Sequence, residues 1–179
     1  MPRQTRLGQK TKRKNGTMEL LLRKVIDSDI YKIQQWIENI KAGEYMSRFY
    51  PKDFDGKIKE NGLYLWFIII VDDYEVGTIW VEKDSLDNTE ATLGIFIGIK
   101  AKLGQGIGQA AIKEIIKLAN KEWRLRAINL NVRKNNQRAI KCYESCGFLL
   151  IREGTKLNNN NQFVEFYKMI YFINDSKIY

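Results

Sequence analysis

Histidine is absent from all 179 residues. Its absence excludes Ser-His-Asp and Cys-His activation of a nucleophile and removes the commonest metal ligand. Any general acid or base must be Tyr, Glu, Asp, Lys, Cys, a water or a group of the substrate. Cysteine is scarce too: Cys142 and Cys146 are the only two. They lie four apart on one predicted helix, no His/Cys cluster has zinc spacing, and no metal is expected. The N-terminus has no apolar leader segment, so the thiols read as reduced, in a cytoplasmic protein. Long hydrophobic runs are missing as well. "LYLWFIIIV", Leu63 to Val71, is too short to span a membrane and suits a buried strand, so no membrane partner is expected.

Acidic residues are missing from one stretch. "MPRQTRLGQKTKRKNGT", Met1 to Thr17, carries Arg3, Arg6, Lys10, Lys12, Arg13 and Lys14 and no carboxylate. Taking those six from the 30 basic residues leaves 24 against 21 acidic, so most of the net charge of +9 sits in this segment. Blocks of like charge are usually disordered. Residues 1–17 therefore read as a basic, disordered tail, or as the product of a mis-chosen start codon, with Met18 opening the domain. The competing reading is an electrostatic tether to RNA or the ribosome.

What remains, residues 18–179, has the composition of one folded domain: the chain is 44% hydrophobic and 12% aromatic. "ELLLRKV" (19–25) reads as a first strand. "DSD" (27–29) offers N-cap chemistry to a helix striped by Ile30, Ile33, Trp36, Ile37 and Ile40. Residues 41–57 read as a short helix plus loop. Strands follow at 63–71 and 75–83, joined by the hairpin signal "DDY", and a longer one at 89–99. A helix is expected over about 108–119, a strand at 126–133, and a helix at 135–147 closed by Gly147. Two last strands flank "LNNNN" (157–161). This order describes a single mixed α/β sheet with helices on its faces.

Glycine is concentrated where "KAKLGQGIGQAAIKEIIKLA" (100–119) places Gly104, Gly106 and Gly108 directly before a helix. Orphan amides and partial positive charge at a helix start, reached without an intervening Cβ, make an anion site. A phosphate-binding loop of Walker type is excluded, because the terminal Lys-Ser/Thr is missing. The spacing Gly106-x-Gly108-x-x-Ala111 fits a dinucleotide fingerprint, yet too little chain follows for two βαβαβ halves. A plain structural turn is the third reading, though each glycine costs about 0.5–1 kcal/mol of ordering entropy.

The second motif decides among these. "LGQGIG", an apolar helix, a strand and then "NNQRAIKCYESCGF" together resemble the GNAT superfamily of acyl-CoA-dependent N-acetyltransferases. Gly106 and Gly108 fit the family pattern Gln/Arg-x-x-Gly-x-Gly/Ala, with Leu103 at the Gln/Arg position. Asn136, Ala139, Ile140, Tyr143, Glu144, Gly147 and Phe148 match Asn-x-x-Ala-apolar-x-x-Tyr-Glu-x-x-Gly-Phe. The motifs cover roughly 95–148, and the strand order extends the likeness to about 18–173.

The resemblance implies a mostly antiparallel mixed sheet with helices on both faces, splayed between the strand before the glycine loop and the next. It implies acetyl-CoA as cosubstrate, with pantetheine along the backbone of Phe96, Ile97 and Gly98. The pyrophosphate would lie on the amides of Gly104, Gln105, Gly106, Ile107, Gly108 and Gln109, with Lys102 compensating for Leu103. Asn136 becomes a cofactor hydrogen-bonder. Tyr143, seven residues on and so on the same helix face, becomes the general acid for the departing thiolate. A phenol of pKa about 10 can donate to a thiolate whose acid is near about 8.5 once water is excluded. Cys142 and Cys146 lack an activating partner and read as inert thiols. Relatives carry a Glu base at positions matching Thr92 and Asn131, neither of which is a base. Glu90, two residues before Thr92 and on the same side of the strand, is the candidate base, acting through water.

The implied reaction is direct attack of a primary amine on the thioester within one ternary complex. Glu44, Tyr45, Tyr50 and Trp80 are candidates to cradle the cationic acceptor: a protein N-terminus of ribosomal type, a polyamine or an aminoglycoside-like amine. A homodimer is a further expected partnership. The alternative is a non-catalytic CoA-binding or RNA-associated module on the same scaffold.

Overall fold

β-branched and aromatic residues pack best on a half-buried pleated surface, and "YLWFIIIV" forms the centre of the sheet. The computed structural model describes residues 7–13, 16–158 and 160–173. Among these residues eight strands form one sheet: β1 (Leu7–Arg13), β2 (Gly16–Lys24), β3 (Tyr64–Val71), β4 (Tyr74–Glu82), β5 (Glu90–Ile97), β6 (Ala127–Arg133), β7 (Leu149–Leu157) and β8 (Phe163–Phe172). Their spatial order is β1-β2-β3-β4-β5-β6-β8-β7. Every neighbouring pair is antiparallel except β5–β6.

Among the described residues three α-helices cover the sheet: α1 (Ile30–Asn39), α2 (Ile107–Trp123) and α3 (Gln137–Ser145). On one face Ile33 and Trp36 of α1 pack on Trp66, Ile68, Trp80 and Phe96. On the other, Ile107, Ala111, Ile112 and Ile115 of α2 and Ile140 of α3 close over Leu20, Leu22, Ile69, Ile79 and Leu130. The expected helices on both faces are present.

Several expectations shift. The segment read as a free basic tail contributes β1, paired in register with Gly16–Leu22. The exposed flank of β2 offers it a row of unpaired amides and carbonyls. Residues 1–6 and 14–15 lie outside the described residues. Between α1 and β3 the expected short helix is one 3-10 turn, Ala42–Glu44. "DSD" caps no α-helix through a side chain. Instead Asp29 accepts from the Ile26 amide at 2.9 Å and pairs with Arg23 at 2.9 Å. The hairpin between β3 and β4 turns on Asp72 and Asp73, both at positive φ (49° and 67°), as a tight primed turn demands.

Candidate active site

The parallel pair β5–β6 is short. Its register covers Glu90–Ala127, Ala91–Ile128 and Thr92–Asn129 and stops there. Beyond Thr92 the strands part, as the sheet was expected to do. At the fork, the Thr92 hydroxyl donates to Asn129 Oδ1 at 3.3 Å. A cleft of about 810 Å³ opens in the gap, running from the glycine loop past β5 to α3 and the turn after α1.

The phase of β5 decides which backbone groups the cleft receives. The Gly98 amide donates to Val76 O at 2.8 Å. Antiparallel ladders alternate, so Gly94, Phe96 and Gly98 turn their amides and carbonyls toward β4. Leu93, Ile95 and Ile97 turn theirs toward the gap. Of the three positions expected to hold pantetheine, Ile97 has its backbone facing the right way. Phe96 and Gly98 do not, because β4 takes their groups. Gly98 has a packing duty as well: a Cβ there would lie 2.2 Å from Trp36 Cγ.

Gly104 and Gly106 sit at φ 74° and 77°, with open space where a Cβ would be. Glycine is required there by conformation. Gly106 is the N-cap of α2, so the amides of Gly106, Ile107, Gly108 and Gln109 have no acceptor within the helix. All four residues line the cleft, with Gly104. Gln105 points elsewhere, its side-chain amide donating to Ala101 O at 2.8 Å. Lys41, Lys100, Lys102, Arg138 and Lys141 also line the cleft. Among its described lining residues Glu44 is the one carboxylate. A groove with five cations and bare helix-start amides fits a nucleotide polyanion.

Asn136 is the N-cap of α3. Its Oδ1 accepts from the Ala139 amide at 3.3 Å, which leaves its NH2 for the cleft. Tyr143 lines the cleft two turns further on, its ring 5.9 Å from that of Phe148. Among the described residues its hydroxyl has no hydrogen-bond partner. Burial pushes the phenol above its ordinary pKa, so it holds its proton through the neutral range. Contact with Cys146 and burial push the Cys142 thiol up, leaving it a poor nucleophile.

Glu90 stands apart. It is exposed at the far end of β5, before the fork, and is not part of the cleft wall. Sharing a strand face with Thr92 does not bring it to the gap, because the gap opens only after Thr92. Of the proposed acceptor residues, Glu44 and Tyr45 line the cleft. Tyr50 packs its ring on Phe54 and Trp66 (5.3 and 5.9 Å). Trp80 is buried over Gly94.

Sequence reasoning missed Arg133, whose Nη1 donates to both Gly43 O (2.9 Å) and Glu44 O (2.8 Å) and so fixes the turn that carries Glu44. A partner 89 residues away in the chain leaves no local signal.

A forked β5–β6 pair with a glycine-started helix at its mouth defines a class, and comparison supplies the family. Residues 30–148 match the acetyltransferase (GNAT) family, and the chain belongs to it. It is an acyltransferase, an acetyl-CoA-dependent N-acetyltransferase by family. Spermidine N-acetyltransferase from Vibrio cholerae, with CoA and spermine, is 20% identical and superposes with a TM-score of 0.72, covering 86% of this chain and 95% of that one. An acetyltransferase from Salmonella typhimurium that modifies the N-terminal serine of ribosomal protein L7/L12 is 16% identical (TM-score 0.72; 87% and 95% covered). Aminoglycoside acetyltransferase AAC(6')-Ib in complex with coenzyme A is also 16% identical (TM-score 0.67; 86% and 94% covered).

Proposed function

We propose that this chain moves an acetyl group from acetyl-CoA to a primary amine by direct attack in a ternary complex, with Tyr143 as general acid and Glu44 as the carboxylate that receives the amine proton. The observation that carries the reading is the unpartnered Tyr143 hydroxyl in the same cleft as the amides of Gly106 to Gln109.

When bound, acetyl-CoA supplies the acetyl thioester. The helix-start amides and the cations Lys100 and Lys102 would hold its phosphates, and the outward backbone groups of Ile95 and Ile97 its pantetheine arm. An amine beside Tyr143 forms a bond to the acetyl carbon as the carbon–sulfur bond breaks. Tyr143 gives its proton to the leaving sulfur. Glu44 takes the amine's proton through a water, the role first given to Glu90. Both then exchange protons with solvent, which restores the site.

Release of free thiol from acetyl-CoA with a panel of amines tests this. Tyr143→Phe should lower kcat about a hundredfold or more, with coenzyme A affinity, read by calorimetry, within about twofold. A Phe variant as fast as the wild type would remove Tyr143 from the mechanism.

A further inference from the structure

Past the fork, the cleft continues into a smaller chamber of about 130 Å³, with Gly94 and Asn131 in the walls of both. Three cations line this chamber: Arg48, Arg133 and Lys156. Arg48 is paired with Glu82 behind it. Arg133 spends its terminal N–H groups on backbone carbonyls and the Ser47 hydroxyl and meets no carboxylate among the described residues. Lys156 Nζ lies 5.5 Å over the Phe166 ring, likewise without an acidic partner there. The wall therefore carries two uncompensated positive charges. Burial, then the charges of Arg133 and Arg48, lower the Lys156 pKa, as expected of cations crowded around one space.

One kind of occupant relieves the repelling cations of this chamber, namely an anion with more than one acceptor oxygen. Glu44, on the larger cleft, supplies the opposite charge at the side where the amine must stand.

We propose that the acetyl acceptor is a primary amine bearing a carboxylate, with the carboxylate held at the Arg133–Lys156 side of the chamber while the amine faces the thioester. The proposal rests on the acetyltransferase reading above and narrows its substrate class. A polyamine or an aminoglycoside, cationic throughout, meets like charge in this chamber.

The test uses the full chain, acetyl-CoA and acceptors paired to differ only in the carboxylate. Free glutamate is set against its diamide, and a peptide beginning Ser-Asp-Glu against one beginning Ser-Asn-Gln, with spermidine as the polycation. The carboxylate member of a pair should exceed its amide in kcat/KM by about tenfold or more. Whichever pair shows the larger gap tells a free amino acid from an acidic peptide as the carboxylate's source. Lys156→Gln should shrink that ratio, and Lys156→Glu should shift it further toward the amide, with coenzyme A affinity by calorimetry unchanged in both. Equal use of acid and amide, or a preference for spermidine, in a protein that binds coenzyme A normally overturns this proposal alone. No thiol release with any acceptor, together with no coenzyme A binding, overturns the acetyltransferase reading and this proposal with it.

Discussion

Gly94 and Trp80 face each other across the β4–β5 ladder so closely that a Cβ on residue 94 would lie 2.1 Å from indole Cζ2. The indole is 2% exposed and cannot swing away without disturbing Phe96, Trp66 and α1. Gly94→Ala should therefore destabilise the fold by about 1–3 kcal/mol through overpacking. Thermal unfolding should show a melting temperature several degrees lower. An unchanged transition would mean that the indole has room to move.

Arg133 is predicted to be irreplaceable by lysine. Its Nη1 donates to both Gly43 O and Glu44 O while Nη2 reaches Met46 O at 3.4 Å, and an ammonium cannot span all three. Arg133→Lys should loosen residues 43–47, raising their amide hydrogen exchange, and should raise KM for the acceptor more than KM for acetyl-CoA. Identical exchange in variant and wild type would refute the clamp.

Acid should weaken the fold through Asp29. Burial raises its pKa, but the bonds from Arg23 and from the Ile26 amide outweigh burial and leave it lowered from 3.8. A depressed carboxylate contributes stability that is present above its unfolded pKa and lost as pH falls through the folded one. Asp29→Asn should therefore cost about 1.5–3 kcal/mol near pH 7, and the gap from wild type should close as pH drops below about 4. Denaturant melts at pH 7 and pH 3 measure it. A gap that stays constant with pH would show that the carboxylate's charge is irrelevant.

Gly106→Ala adds a Cβ that meets nothing, so its effect is conformational. Holding alanine at φ 77° costs about 1–2 kcal/mol. If the loop relaxes to escape that strain, coenzyme A binding weakens by about five- to thirtyfold. Calorimetry decides, and an affinity equal to wild type would mean that the amides there do not hold the phosphates.

Local chemistry was legible in the chain. The β-branched run at 64–71, the stripe of α1 and the glycines before α2 announce their elements, and the Asn136–Tyr143 spacing does place both on one cleft. What failed was tertiary. Helix α2 runs on to Trp123, past the point where Asn120, Lys121 and Glu122 end the apolar stripe, because polar residues on its solvent side still favour helix. Glu90 looked suitable because strand periodicity reports faces and says nothing of where two strands separate. The phase that selects Ile97 over Phe96 and Gly98 depends on β4, which no pattern within β5 reveals. The chamber cations come from a loop, β6 and β7, far apart in sequence.

That phase has a genetic consequence. Every outward group between Thr92 and Gly98 belongs to an odd-numbered residue, so one codon deleted inside the segment would swap edges and faces at once. Amides meant for the ligand would turn inward, and Trp36 would meet a bulky neighbour in place of Gly98. Point substitutions here are graded injuries, whereas a one-residue slip is an all-or-none lesion.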